Sequence, residues 1–357
     1  MRIIVVGNQG YVGPVVGEHL RQAFPDAHIA GFDAGLFAHC LTAVKAAPER
    51  ALDVQLFGDV RELPGELLEG CDAVVQLAAV SNDPMGNRFE AVTDEINRAA
   101  SVRLATLAAQ AGARSFVFAS SCSVYGAAES GARKETDPVN PLTAYARSKI
   151  GTEDALRAMR TGEMSVTCLR FATACGMSPR LRLDLVLNDF VACAIATRKI
   201  TVLSDGTPWR PLINVTDMAR AIGWAVDRRP EHGGRFLVVN VGAEAWNYQV
   251  KDLAEAVAAE IPGTSVSINQ AAPPDKRSYR VDFSLFRALA PAHQPAATLV
   301  GAIRGLRQGL LDMDFADAEF RDSNLIRLHV LQEHIRSGRL SRDLRWLPEG
   351  AREELAA

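Results

Sequence analysis

The sequence predicts an α/β protein built on a doubly wound parallel sheet, and three observations carry that prediction. Ile3-Ile4-Val5-Val6 is an apolar, β-branched run too short for a helix, as in a strand buried on both faces. It runs directly into Gly7, Gly10 and Gly13. Further short apolar runs then alternate with amphipathic helical stretches through the first half of the chain, the pattern of parallel strands joined by crossover helices.

The three glycines have the spacing of a dinucleotide turn. One permits the tight turn, one lets backbone approach a pyrophosphate, and one lets the next helix pack close to the sheet. That helix, Val12 to Ala23, aims its amide-rich end at the phosphates, so Gly7, Gly10, Tyr11, Val12 and Gly13 are candidate cofactor contacts. A second strand, His28 to Phe32, ends at Asp33, twenty positions after Gly13. A carboxylate there accepts hydrogen bonds from an adenosine ribose and repels a 2′-phosphate, which selects NAD over NADP.

A third strand, Val54 to Phe57, leads to Asp59 and Val60. Asp59 either reaches an adenine edge or caps the helical turn that follows. The fourth strand, Ala73 to Leu77, opens into Ala78, Ala79 and Ser81, whose small size suits close passage along a bound cofactor. A long helix is expected from Phe89 to Ala111. The fifth strand, Ser115 to Ala119, delivers Ser120, Ser121, Cys122 and Ser123 to the carboxyl edge of the sheet, where such folds bind ligands. Downstream, Tyr145 and Lys149 stand four apart on a predicted helix and share a face. A cation beside a phenol favours the phenolate, which would make Tyr145 a base near neutral pH.

Composition bounds the alternatives. The 357 residues can bury a large core, and 48% apolar with 23% charged residues is ordinary for a globular protein. The net charge of −3 gives no basic footprint for nucleic acid. No apolar run reaches the roughly 18 residues of a membrane span, and strand one begins too early for a leader peptide. Cysteines 40, 71, 122, 168, 175 and 193 are scattered, which suggests reduced thiols and a cytoplasmic setting. The seven histidines form no ligand motif, so no metal is expected.

Taken together, Gly7-x-x-Gly10-x-x-Gly13, Asp33, Asp59, Ser121 with Tyr125-Gly126, and Tyr145-x-x-x-Lys149 resemble the extended short-chain dehydrogenase/reductase family. Within it the chain looks most like the NAD-dependent nucleotide-sugar epimerases and dehydratases, from Met1 to at least Asp282. The resemblance implies a Rossmann domain holding NAD tightly, a Ser121-Tyr145-Lys149 triad and a nucleoside-diphosphate sugar substrate. It implies a structural role for Asn97 near the active site, a sugar-facing Thr173, and a phosphate contact for Arg210. Arg180, Arg182 and Asn188, in the segment after the sixth strand, would form a lid over a diphosphate. The expected division is a Rossmann domain over 1–170 with 205–245 returning to it, a substrate lobe over 171–204 and 246–340, and a tail over 341–357. A helix from Ser323 or Asn324 to Ile335 is expected to pack on the small lobe.

Two departures from the family matter. Many sugar-nucleotide epimerases carry an arginine where this chain has Ala272, so diphosphate binding is reassigned to Arg277 or Arg280. Dehydratases of the family carry a glutamate two residues before the Tyr-Gly; here that place holds Ser123, preceded by Cys122. A hydroxyl has far too high a pKa to replace a carboxylate in proton abstraction. Epimerisation through transient oxidation, at C4 by this reading, is therefore expected, with a 4-keto-sugar reductase as the alternative and a dehydratase or a silent NAD-binding protein behind it. The helices over Phe89 to Ala111 and Tyr145 to Met159 resemble those of the family's usual dimer interface, which implies a homodimer.

Overall fold

The apolar runs build a seven-stranded sheet in this computed structural model, which describes residues 1–42, 44–127, 131–272 and 278–348. The first part of the chain contributes β1 (Arg2–Val6), α1 (Gly13–Ala23), β2 (His28–Asp33), β3 (Val54–Phe57) and β4 (Ala73–Gln76). It continues with α2 (Asp83–Arg88), α3 (Glu90–Asp94), α4 (Ala100–Gln110), β5 (Ser115–Ser121), β6 (Ala132–Arg133) and α5 (Ala144–Ala158). Then come β7 (Ser165–Phe171), β8 (Thr173–Cys175), α6 (Val186–Ala196), β9 (Lys199–Val202), β10 (Trp209–Asn214), α7 (Val215–Asp227) and β11 (Phe236–Val241). The chain closes with β12 (Asn247–Gln249), α8 (Val250–Glu260), β13 (Ser265–Ile268), β14 (Arg280–Val281), α9 (Ser284–Leu289), α10 (Leu299–Leu311) and α11 (Arg327–Arg336).

The main sheet runs β11-β7-β5-β4-β1-β2-β3 with every pairing parallel. Strand order reverses direction between β1 and β4, which opens a crevice at their carboxyl ends. Consecutive residues of β1 enter opposite layers, which is why the whole run is apolar. Ile3 and Val5 pack with Val16 and Leu20 of α1 and Ile222 of α7. Ile4 and Val6 pack with Leu104, Ala105 and Ala108 of α4 and with Phe116 and Phe118 of β5.

The helix expected over Phe89 to Ala111 is interrupted by a π-helical turn, Glu95–Ala99. Such a turn carries one extra residue and commonly marks a functional region. Here it holds the fully buried Asn97, whose side chain bonds both the amide (2.8 Å) and the carbonyl (3.0 Å) of Val80 and donates to the Ser148 hydroxyl (3.0 Å). Asn97 thereby ties the loop after β4 to α5.

The smaller lobe holds the sheet β12-β10-β8, the parallel pair β13-β9, and helices α6, α8 and α10 around a core that includes Leu187, Val191, Leu253, Val257, Ile303 and Leu306. Two features differ from the sequence reading. The return to the main domain begins with α7 rather than near 205, because β10 pairs with β8 and β12 outside the main sheet. The C-terminal helix packs mainly on the nucleotide-binding side, with Arg327 at its start reaching the small lobe: Leu331 and the following Leu340 and Leu344 bury against Val80, Met85 and Val92. Its first turn follows Ile326, while the Ser323 hydroxyl accepts from the Leu325 amide (3.2 Å) instead of capping the helix.

Candidate active site

The glycine turn has the shape its spacing implies. Gly7 adopts φ +87°, and a Cβ there would lie 2.3 Å from the Ala78 amide nitrogen. A Cβ on Gly13 would lie 2.2 Å from the Asn8 carbonyl oxygen, so α1 packs as close to the turn as backbone allows. Above Gly10 there is room: its nearest neighbour would be the Gly7 carbonyl oxygen at 3.5 Å. No side chain caps the first turn of α1, and Pro14 gives up an amide that would be unpaired anyway. Asp33 accepts from the Gln9 amide (2.9 Å) and the Gly35 amide (2.8 Å), which fastens the end of β2 to the glycine turn. Burial raises its carboxyl pKa despite those bonds. For Asp59 the structure realises the capping alternative. It accepts from the Arg61 amide at 2.9 Å and pairs with the Arg61 guanidinium at 2.5 Å; burial opposes ionisation there, but Arg61 outweighs it and holds the carboxyl below its ordinary range. The open approach above Gly10 and the uncapped helix end fit a dinucleotide pyrophosphate.

A cavity of about 950 Å³, at the large end for small-molecule sites, runs from this cradle to the triad. The expected cofactor residues Gly7, Gly10, Tyr11, Val12, Gly13, Asp33, Asp59, Val60, Leu77, Ala78, Ala79 and Ser120 all line it. Tyr11 also serves the lobe, donating to the Gly176 carbonyl at 2.6 Å.

Ser121 ends β5, and Tyr145 and Lys149 project from α5 into the same cavity. Thr143 caps α5 by accepting from the Ala146 amide (3.2 Å) and donates to Asp83 (2.7 Å). The Lys149 ammonium lies 5.5 Å from the centre of the Tyr145 ring and donates to the Ala119 carbonyl at 2.7 Å. Burial opposes the lowered phenol pKa that the Lys149 spacing implies. Burial pushes the Tyr145 phenol up to about 12, with the Ser121 hydrogen bond pulling the other way and Asp83 adding to the rise. Burial also pushes Lys149 down to about 7. Both groups are buried, and desolvation is the largest cause of each shift.

Beneath the triad lies a polar network that sequence reasoning missed. Arg170 of β7 and Glu153 of α5 form a buried ion pair at 2.7 Å. Glu153 accepts from the Ser120 hydroxyl at 2.5 Å, and Arg170 donates to the Tyr125 hydroxyl at 3.0 Å. Tyr125 in turn donates to Asn240 at 2.7 Å. The available signal was a lone charged residue, Arg170, in an otherwise uncharged strand, which must be paired if buried.

Of the expected substrate residues, Ser81, Ser123, Thr173, Arg182 and Arg210 line the cavity. Arg182 is ion-paired with Asp184 (2.9 Å) and donates to the Ser81 hydroxyl (2.8 Å). The Ser123 hydroxyl oxygen is buried without a hydrogen-bond partner among the described residues. Four expected substrate residues are elsewhere. Cys122 is turned into the core, its thiol on the Arg170 carbonyl; Asn188 is buried, bracing Gly176 and the Arg182 carbonyl. Arg180 is paired with Glu49 at 2.8 Å, and Arg280 is exposed over the Trp209 ring. Arg277 lies outside the described residues. Asp83 and Tyr279, which no motif singled out, both line the cavity.

With this geometry in place, comparison with known proteins is decisive at the level of family. Residues 3–242 match the model of the NAD dependent epimerase/dehydratase family. The chain belongs to that family. NAD is its cofactor, and the glycine cradle and the strand-end Asp33 fit it. Among curated relatives, an uncharacterized UDP-glucose epimerase, YtcB, of Bacillus subtilis (strain 168) is 27% identical over 250 residues, 68% of this chain and 77% of that one. A dTDP-glucose 4,6-dehydratase of Streptomyces griseus is 28% identical over 253 residues, 68% of this chain and 74% of that one. Among solved structures, the NDP-hexosamine 5,6-dehydratase TunA superposes with a TM-score of 0.76 at 22% identity over 88% of this chain and 99% of that one. MoeE5 in complex with UDP-glucose and NAD gives 0.73 at 23% identity over 87% and 99%. These superpositions establish the shared fold. Among the described residues, no helix is long and apolar enough to cross a membrane.

Proposed function

We propose that the protein epimerises a nucleoside-diphosphate sugar by transient oxidation at C4. The observation that carries this reading is the convergence of Ser121, Tyr145 and Lys149 on one cavity with the glycine cradle, while a hydroxyl, Ser123, stands where a dehydratase would need a carboxylate. UDP-glucose 4-epimerases of Mycolicibacterium smegmatis and Azospirillum brasilense, each 27% identical to the chain, support it.

When bound in the glycine cradle, NAD would supply the hydride acceptor for C4 and the hydride donor for the opposite face of the keto-sugar. Tyr145 removes the O4 proton and later gives it back. Ser121 donates to the oxygen as C4 becomes a carbonyl; Lys149 holds the end of β5 and would donate to the nicotinamide ribose. Arg210 and Arg182 are assigned to the diphosphate, where a guanidinium fork matches phosphate oxygens. We assign a homodimer through α3, α4 and α5 to the same reading.

One observation favours a second reading. Asp83 brings a carboxylate into the cavity and influences the Tyr145 phenol electrostatically, so elimination of water has a candidate acid–base group that Ser123 lacks. A panel of nucleoside-diphosphate hexoses deuterated at C4, incubated without added cofactor and read by NMR, separates the readings. Epimerisation gives an inverted sugar that keeps deuterium at C4. A 4-keto-6-deoxy product with deuterium moved to C6 overturns it in favour of elimination. A requirement for added reduced cofactor with a keto-sugar substrate favours a reductase.

A further inference from the structure

The main sheet and its glycine turn account for one side of the cofactor groove; the other side is built by the C-terminal segment. Arg327, the first residue of α11, lines the cavity although only 1% exposed. Its terminal nitrogens donate to the carbonyls of Asn324 (3.0 Å), Arg180 (2.9 Å) and Leu181 (3.0 Å), its guanidinium sits 5.3 Å from the centre of the Phe37 ring, and its Nε is buried with no partner. No ion pair to Arg327 exists among the described residues. A guanidinium held away from water with no carboxylate in contact is costly: Asp184 acts on it only at a distance, and burial pushes its pKa down to about 10. Such an arrangement is explained when a ligand brings the anion.

Beyond α11 the chain turns back over the carboxyl ends of β2 and β3. Leu344 lines the cavity, is 3% exposed, and adopts φ +56°, a conformation that costs a non-glycine residue energy and persists only where its surroundings hold it. What holds it is specific: Arg61 donates to the carbonyls of Asp343 (2.9 Å) and Leu344 (3.4 Å), and the Trp346 indole donates to the Ala34 carbonyl at 2.5 Å. Arg61 is the same side chain that grips Asp59, and Ala34 directly follows Asp33. The segment is therefore fastened to the two strand ends that face the adenosine half of a dinucleotide.

We propose that the C-terminal segment is part of the cofactor site, with Arg327 facing the anionic part of NAD and Leu344 walling in its adenosine end. The cofactor then leaves slowly, because this wall must open first.

The test uses Arg327→Met, Arg327→Lys and Leu344→Ser in the full-length chain. NAD retained through purification is measured after denaturing release, and NAD affinity of the stripped protein is measured by calorimetry, with UDP alone as a second ligand. Loss of one charge-assisted contact predicts NAD binding weaker by about 10- to 100-fold in Arg327→Met, with UDP binding unchanged. Arg327→Lys recovers part of that loss, and Leu344→Ser shows faster NAD release in a competition chase. Circular dichroism and the thermal midpoint establish that each variant is folded; if Arg327→Met fails to fold, Arg327→Lys and Leu344→Ser carry the same comparison. Folded variants that retain NAD like the parent overturn the proposal. So does a loss confined to UDP, which would assign the guanidinium to the other ligand.

Discussion

Lys149 is anchored to the strand that carries Ser121: its ammonium donates to the Ala119 carbonyl at 2.7 Å while standing 5.5 Å from the centre of the Tyr145 ring. The contact fixes where α5 meets the end of β5, and so fixes the distance between phenol and serine hydroxyl.

That burial has a consequence for stability. The folded pKa of Lys149, about 7, lies below its ordinary 10.5, so between those values the unfolded chain binds a proton that the folded chain does not. Stability from this group therefore rises with pH across that window, by on the order of 1 kcal/mol per unit. Denaturant unfolding of nucleotide-stripped wild type and Lys149→Met at pH 7 and pH 8.5 should show wild type gaining relative to the variant at the higher pH. An unchanged difference contradicts the burial argument.

The glycines of the turn should separate folding from cofactor binding. Gly13→Ala drives a methyl into the Asn8 carbonyl, so both the thermal midpoint and NAD content fall. Gly10→Ala meets only an ordinary contact within the protein, so stability shifts by about 0.5 kcal/mol or less while NAD affinity drops. Thermal melts with and without NAD read both quantities.

Removing one partner of the Glu153–Arg170 pair leaves the other charge stranded in the core. Arg170→Met should cost about 3–5 kcal/mol in denaturant unfolding. The double variant Glu153→Leu/Arg170→Met should recover much of that loss, since no charge is left unpaired.

The assigned homodimer predicts twice the chain mass in light scattering of the NAD-loaded protein. Charge reversal of Arg98 and Arg147, exposed on the helices that would pair, should shift the mass toward a single chain; a monomeric parent contradicts the assignment.

What could be read from the sequence followed from local rules. β1 was legible because burial on both faces demands an uninterrupted apolar run, and Asp33 because a strand end has a fixed relation to the glycine turn. Tyr145 and Lys149 were legible because four residues is about one helical turn. Arg180 and Asn188 were misassigned to the substrate because a polar residue in a loop looks alike whether it meets a ligand or braces backbone; only the fold shows Arg180 against Glu49 and Asn188 against Gly176. Helix spacing likewise reveals the cation near Tyr145 but not the burial of both groups, which acts against ionisation of each. The place of α11 rests on contacts with Val80 and Met85, more than two hundred residues away, which no periodicity encodes.

The most direct measurement is turnover of a nucleoside-diphosphate sugar by Tyr145→Phe loaded with NAD and given no further cofactor. The account predicts undiminished NAD content and a rate lower by about 10²- to 10⁴-fold, the usual contribution of a positioned proton acceptor. A variant that turns over its substrate at the parent's rate would contradict it.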